Sequence, residues 1–227
     1  MNLKWSMIMV SMGLWFLAAI PGAGAEAQVV KLPGPAPQGA VSVEEALKAR
    51  RTVRQFIVRS LDLSQISQLL WGADGVSDPR GLRTAPSAGA TYPLEIYLVA
   101  GDRAVADLTA GVYRYRVLEH ILEAGLAGDR RIAVARASLR QFWMAEAPVM
   151  VVIAAVYRRC TARYGERGVR YTHMEAGNVS QNLFLQAEAL GLGAGIVGAF
   201  EDRELAQALG LPQEQVPLLV MPVGYQR

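Results

Sequence analysis

Cysteine and histidine are nearly missing from this chain. Cys160 is the single thiol, and His120 and His173 are the only imidazoles. A disulfide within the chain, a thiolate metal cluster and a three-histidine metal centre are therefore excluded. Cys160 has no histidine near it in sequence and follows an apolar run, so it reads as a small core residue rather than a nucleophile. The usual hydrolytic and phosphate-binding signatures are absent as well. There is no Gly-x-Ser-x-Gly elbow, no phosphate loop closing in Gly-Lys-Ser/Thr and no His-Glu-x-x-His pair. Gly191-x-Gly193-x-Gly195 has the glycine spacing of a dinucleotide loop but follows a helical pattern instead of a strand, which argues against nicotinamide binding there. An excess of one charge is lacking too. Basic residues number 23 and acidic ones 20, for a net +3, and this is no footprint for nucleic acid.

What is present is a largely apolar chain of 227 residues, 52% hydrophobic, enough for one sizeable core. Its start carries an address. Lys4 gives a short positive region, Ser6–Ile20 is mostly apolar, and Ala23-Gly24-Ala25 supplies the small-x-small pattern of a cleavage site. We expect a signal peptide over 1–25, a mature chain from Glu26 in the periplasm or secreted, and no stable membrane span after cleavage. The competing reading is an uncleaved anchor, which Ser6, Ser11 and Gly13 weaken. The cleaved form would acquire any cofactor after export.

Residues 26–41 read as a Pro/Gly-rich linker, with three prolines and two glycines between Lys31 and Ala40. The folded body, 42–227, is expected to open with the Ser42/Glu45 capping box of a helix. A second capped helix starts at Asp62. Leu94–Ala100 reads as a buried strand, Val112–Leu122 as a hairpin, and Asp129 as the start of a helix running to about Met144. Val149–Val156 is apolar on both faces and reads as a central strand. A long helix is expected from about Thr172 to Leu190, with Gly191 as its left-handed cap. A short strand or turn over Gly195–Phe200, a helix capped by Asp202 and a strand over Val216–Val223 complete an α+β pattern.

Three segments carry chemistry. Arg50-Arg51-Thr52-Val53-Arg54 could grip a phosphate through charge-assisted hydrogen bonds, or could simply place cations at a helix C-terminus. Ala85–Pro93, with small residues between two prolines, allows backbone to approach a flat ligand, or forms an ordinary loop into a strand. The long helix is polar through His173, Asn178, Ser180, Gln181 and Asn182, then apolar. The Gly193–Phe200 run behind it is almost bare backbone, fit either for a ring edge or for tight packing.

Arg50-Arg51-Thr52-Val53-Arg54-Gln55-Phe56 resembles the Arg-x-Ser/Thr-x-Arg-x-Phe opening of nitroreductase-like FMN flavoproteins. Pro86–Glu95 is similar to the Pro-Ser-Ala-Gly-Ala-x-Tyr-Pro segment of their SagB-type dehydrogenase branch, which includes oxidases that convert azolines to azoles in modified peptides. His173–Phe200 and Pro222-Val223-Gly224-Tyr225 resemble that branch's long helix with its glycine-rich exit and its closing strand. The likeness spans about 42–227, in order.

The resemblance implies a nitroreductase-like fold, with a central mixed or antiparallel sheet flanked by helices and a long central helix at the interface of a homodimer. It implies FMN bound in a cleft at that interface. Arg50, Arg51 and Thr52 would hold the flavin phosphate, and Arg54 would lie by the ribityl chain and the N1/O2 edge. Ser87 and Gly89 would line the isoalloxazine. Val197, Gly198 and Ala199 would present amides near N5 and O4, and Arg227 could join the phosphate. The implied reaction is two-electron hydride transfer through flavin N5 in two half-reactions, with NAD(P)H, a small molecule or a modified peptide as redox partner. His173 and Tyr92 are weaker candidates for proton donation. Ala90 stands where many nitroreductases place a flavin-pairing asparagine. A competing reading is therefore a non-catalytic exported module that binds flavin or another flat ligand on the same fold.

Overall fold

A computed structural model describes residues 28–227, and the leader expected over 1–25 lies outside the described residues. Seven strands form one sheet in which every ladder is antiparallel. In chain order they are β1 (Val29–Lys31), β2 (Leu94–Ala100), β3 (Gly111–Arg116), β4 (Ile121–Ala127), β5 (Val149–Ala155), β6 (Gly193–Ala194) and β7 (Val216–Gly224). Their order across the sheet is β1-β4-β3-β2-β5-β7-β6. Among the described residues six α-helices pack about it: α1 (Val43–Ala49), α2 (Leu63–Asp74), α3 (Arg131–Ala137), α4 (Tyr157–Tyr164), α5 (Arg167–Ala189) and α6 (Asp202–Leu209).

The all-apolar runs of β2 and β5 are explained by cover on both sheet faces. Ile96, Leu98, Val151 and Ile153 pack with α2 and α5, while Val99, Met150, Val152 and Ala154 pack with α3 and α6. Every residue of β5 is buried. Truncating Ile153 to alanine would cost about 2–5 kcal/mol. The two capping boxes form as the sequence predicts, with Ser42 and Glu45 bonding reciprocally and Asp62 and Gln65 doing the same. Gly191 takes its left-handed conformation at φ +68°. Among the described residues no helix is long and apolar enough to cross a membrane.

Four expectations are corrected. The segment read as a linker is partly built into the fold. β1 pairs with β4, Leu32 is buried, and Gln68 brackets the backbone of Ala36 with two hydrogen bonds. Proline density had marked this stretch as free, but a short edge strand tolerates prolines beyond its end. The helix expected over 129–144 stops at Ala137, because Leu139 and Arg140 are both left-handed. A 3₁₀ turn over Phe142–Glu146 follows. Asp129 instead accepts the Arg131 amide and clamps its guanidinium. Asp202 lies inside α6; Glu201 is the cap residue, and it makes no side-chain cap bond. The long helix begins at Arg167, five residues early, where a Cβ on Gly168 would stand 2.6 Å from the Thr161 backbone on α4. That close crossing explains the glycine in the first turn of the helix.

Candidate functional site

The basic segment and the glycine strip, 140 residues apart in sequence, meet at the end of α5. Thr52 bridges Ala194 in parallel, and the Val53 amide donates to the Ala194 carbonyl at 2.8 Å. The C-terminus closes the same corner. Phe56 pairs with Gln226, and the Arg227 amide donates to Gln55 O at 3.2 Å. Thr52, Arg54, Arg227 and Gly198 thus belong to one continuous piece of structure.

The arginines differ in what they touch. Arg50 lies 5.1 Å from the centre of the Phe184 ring on α5, and Arg54 lies 5.8 Å from that of Trp143. No carboxylate among the described residues pairs with either. Both guanidinium groups lie against aromatic faces and are available to an anion. Arg51 is engaged otherwise: its Nη1 donates to the carbonyls of Lys48 and Arg50, which caps α1. Helix-end capping is the role its sequence position also allowed, and it engages Nη1 alone.

The glycine strip divides in the same way. A Cβ on Gly193 or Gly195 would come within 2.8 Å of Val53 atoms, so these two glycines serve close packing against the basic segment. Gly198 has only a Leu219 methyl, at 3.8 Å, near its missing Cβ. The Val197 amide bonds to Val220 O, and the Val220 amide returns to Val197 O, both at 2.9 Å. Val197 therefore has no amide to offer a ligand, and its expected role is corrected. Gly198 and Ala199 are exposed, and their amides make no hydrogen bond within the described residues. Gln141 Nε2 donates to Ala199 O at 3.3 Å and braces this open stretch.

Sequence reasoning missed Trp143 and Gln141. Both lie in the stretch expected to be helical, and no glycine or proline announces the break that aims them at the strip.

The Pro86–Pro93 loop is held by other partners. Its bonds run to α4: Arg163 Nη1 donates to Gly89 O and Arg159 Nη1 to Tyr92 O, each at 3.0 Å. No hydrogen bond or ring contact joins it to Arg50–Arg54 or to Gly198–Ala199. Ser87 Oγ accepts the Tyr92 amide at 2.9 Å, and Gly89, Ala90 and Tyr92 all have positive φ. The two proton-donor candidates are partnered. Tyr92 lies beneath Arg83, and His173 Nε2 meets the Tyr157 hydroxyl at 2.6 Å on the surface. A cleft of about 350 Å³ between α1, α2 and α5 holds neither the arginines nor the open amides.

Seven antiparallel strands in one sheet with six α-helices packed about it make the described residues an α+β fold. The chain belongs to the nitroreductase family, whose model matches residues 47–225. A protein of Methanocaldococcus jannaschii that bears the name of a nitroreductase, MJ1384, is 45% identical over 184 residues, covering 81% of this chain and 91% of that one. The microcin B17-processing protein McbC of Escherichia coli is 28% identical over 169 residues, 72% of this chain and 62% of McbC. A solved nitroreductase-family structure from Ralstonia eutropha superposes with a TM-score of 0.75 at 28% identity, covering 91% and 93% of the two chains.

Proposed function

We infer that the chain is an FMN-dependent oxidoreductase of the SagB-type branch, working as a homodimer and exported through its N-terminal leader. The observation that carries the flavin reading is the Thr52–Ala194 junction, which joins a segment whose Arg50 and Arg54 lack carboxylate partners among the described residues to the strip that carries the unbonded amides of Gly198 and Ala199. That donor set fits FMN at both ends. Arg50, Thr52 and Arg54 supply bidentate and hydroxyl donors for a phosphate and a cation for the pyrimidine edge. Gly198 and Ala199 supply neutral donors without side-chain bulk, as a ring edge requires. When bound, FMN supplies two-electron hydride chemistry. The protein's own residues bind it, orient it and place positive charge where reduction accumulates electrons.

A homodimer would bring the loop and the arginines, which share no hydrogen bond or ring contact within the chain, to one site. One subunit would contribute the basic segment and glycine strip, and the other the Ser87–Gly89 turn. For the redox partner, the microcin-processing relative supports a modified peptide, while the wider family supports a nicotinamide donor. Anaerobic mixing with NADPH separates them, since only the second reading bleaches the flavin.

The direct test is the absorption spectrum of the purified mature chain, before and after added FMN. A flavin band retained through gel filtration supports the reading. A colourless chain that ignores FMN overturns it.

A further inference from the structure

The elbow between α4 and α5 concentrates one sign of charge in a chain that is otherwise nearly balanced. The full sequence holds 23 basic and 20 acidic residues, yet Arg158–Arg170 holds five arginines and a single acid, Glu166. Arg159 is committed: it pairs with Glu95 and donates to Tyr92 O. Arg158, Arg163, Arg167 and Arg170 are exposed and make no ion pair among the described residues.

These positions run against helix electrostatics. Arg158 and Arg159 stand in the first turn of α4, Arg167 opens α5, and neither first turn holds an acid. A helix N-terminus is the positive end of its macrodipole and favours carboxylates, so cations there cost stability and add to one positive field. Sequences break such local rules chiefly where function is served. Glu166 is the cap residue of α5, makes no side-chain cap bond and offsets only one of the charges.

The elbow is also shaped. Gly165, at φ +58°, ends α4, and the Tyr164 and Tyr171 rings meet edge-on with centres 5.2 Å apart. An open depression of about 560 Å³ is lined by Glu166, Arg167, Val169, Arg170 and His173. From it Arg167, Arg170, Met174 and Gly177 run along one exposed stripe of α5 at three- and four-residue spacing. A Cβ on Gly177 would meet nothing within 4 Å, so the backbone there is open to a chain laid along the stripe. On its α4 side the elbow abuts the Pro86–Pro93 loop. Arg163 Nη1 donates to Gly89 O at 3.0 Å, and a Cβ on Gly89 would collide with the Tyr164 hydroxyl.

We propose that the α4–α5 elbow is a docking surface for an acidic peptide segment, with its carboxylates on Arg167 and Arg170 and its backbone along the α5 stripe. The planar guanidinium takes a carboxylate through two parallel hydrogen bonds. A bilayer fits less well, because Val169 and Met174 are the only large hydrophobic side chains exposed on the elbow, far less than an inserted face presents. A peptide held there lies beside the turn that the flavin reading puts at the ring. Docking is a property of the protein without cofactor, and only its use as a substrate grip rests on that reading.

The test uses the mature chain and a fluorescent peptide of alternating glutamate and glycine, with a glutamine–glycine peptide as control. Anisotropy at roughly 20 mM salt should show saturable binding of the first peptide only, weakening about tenfold at roughly 300 mM. Arg167→Gln/Arg170→Gln should lose about tenfold in affinity. Arg136→Gln/Arg203→Gln, which removes the same charge from α3 and α6, should stay within about twofold of wild type. No binding by wild type, or equal losses in the two double variants, would overturn the proposal. So would a tighter hold on anionic phospholipid vesicles or single-stranded DNA than on the peptide. A changed oligomeric state in Arg167→Gln/Arg170→Gln, read by light scattering, would give the stripe to the subunit interface and overturn it too. Peptide capture by a chain that ignores FMN would uphold the surface and overturn the flavin reading, and a chain that holds FMN but no peptide would do the reverse.

Discussion

The Val53 amide donates to the Ala194 carbonyl at 2.8 Å, and this one bond fixes the basic segment against the strip that leaves α5. The glycines flanking Ala194 exist for that approach, and Gly198 does not. A Cβ on Gly195 would stand 2.8 Å from Val53 O and 2.9 Å from the Trp143 ring. Gly195→Ala is therefore expected to cost about 1–3 kcal/mol and several degrees of melting temperature. Gly198→Ala meets only a methyl at 3.8 Å, so its stability should stay within about 0.5 kcal/mol of wild type while FMN retention falls. Thermal melts alongside flavin titration check both, and equal melting losses in the two variants would contradict the division.

Arg50 and Arg54 rest on aromatic rings without carboxylate partners, whereas Arg51 caps α1. Charge-assisted hydrogen bonds are worth about 1.5–3 kcal/mol each, so Arg50→Ala or Arg54→Ala should weaken FMN about 10- to 100-fold. Arg51→Ala should leave flavin affinity within about threefold and lower helix stability by only a few tenths of a kcal/mol. Equal losses for all three would place Arg51 at the phosphate too.

The proposed division of the site between subunits is tested by mixing. An Arg50→Ala/Arg54→Ala double variant and a Ser87→Tyr variant should each bind FMN poorly alone. Refolded together, half the dimers are mixed and each mixed dimer carries one intact site, so about a quarter of the sites should recover. No recovery would place the whole site within one protomer.

Much of this architecture was legible because local chemistry and tertiary context agree. The Ser42 and Asp62 boxes, the doubly covered β5 and the Gly191 cap each follow from a short-range pattern that packing does not oppose. The failures lie where tertiary contacts prevail without a local signal. Nothing around Leu139 and Arg140 announces two left-handed residues, and so the placement of Gln141 and Trp143 was hidden. Leu32 is buried only because β1 finds β4 some 90 residues later in the chain. At the candidate site, residue type nominates Arg50, Thr52, Arg54, Ser87, Gly89, Gly198 and Ala199, and the structure shows what each of them touches. It could not show that the amide of Val197 is taken by Val220, or that Arg51 folds back on its own helix.

Asp74 gives the fold a pH dependence of unusual sign. Its carboxyl is held up to about 6, above the ordinary 3.8, because burial outweighs the attraction of Arg83. The folded chain therefore binds more protons than the unfolded one between those two values. Stability is gained where the carboxyl is neutral and falls as pH rises through this window, levelling off above about 6. Most surface carboxylates act in the opposite sense, since pairing lowers them and acid destabilises them. Asp74→Asn fixes the neutral form, so its melting temperature should lack this component. The gap between wild type and Asp74→Asn should thus move by about 2–5 °C in the variant's favour between roughly pH 4.5 and pH 7.5. Calorimetry at matched ionic strength reads the gap directly. A gap that moves the other way would mean that Arg83, not burial, governs this carboxyl.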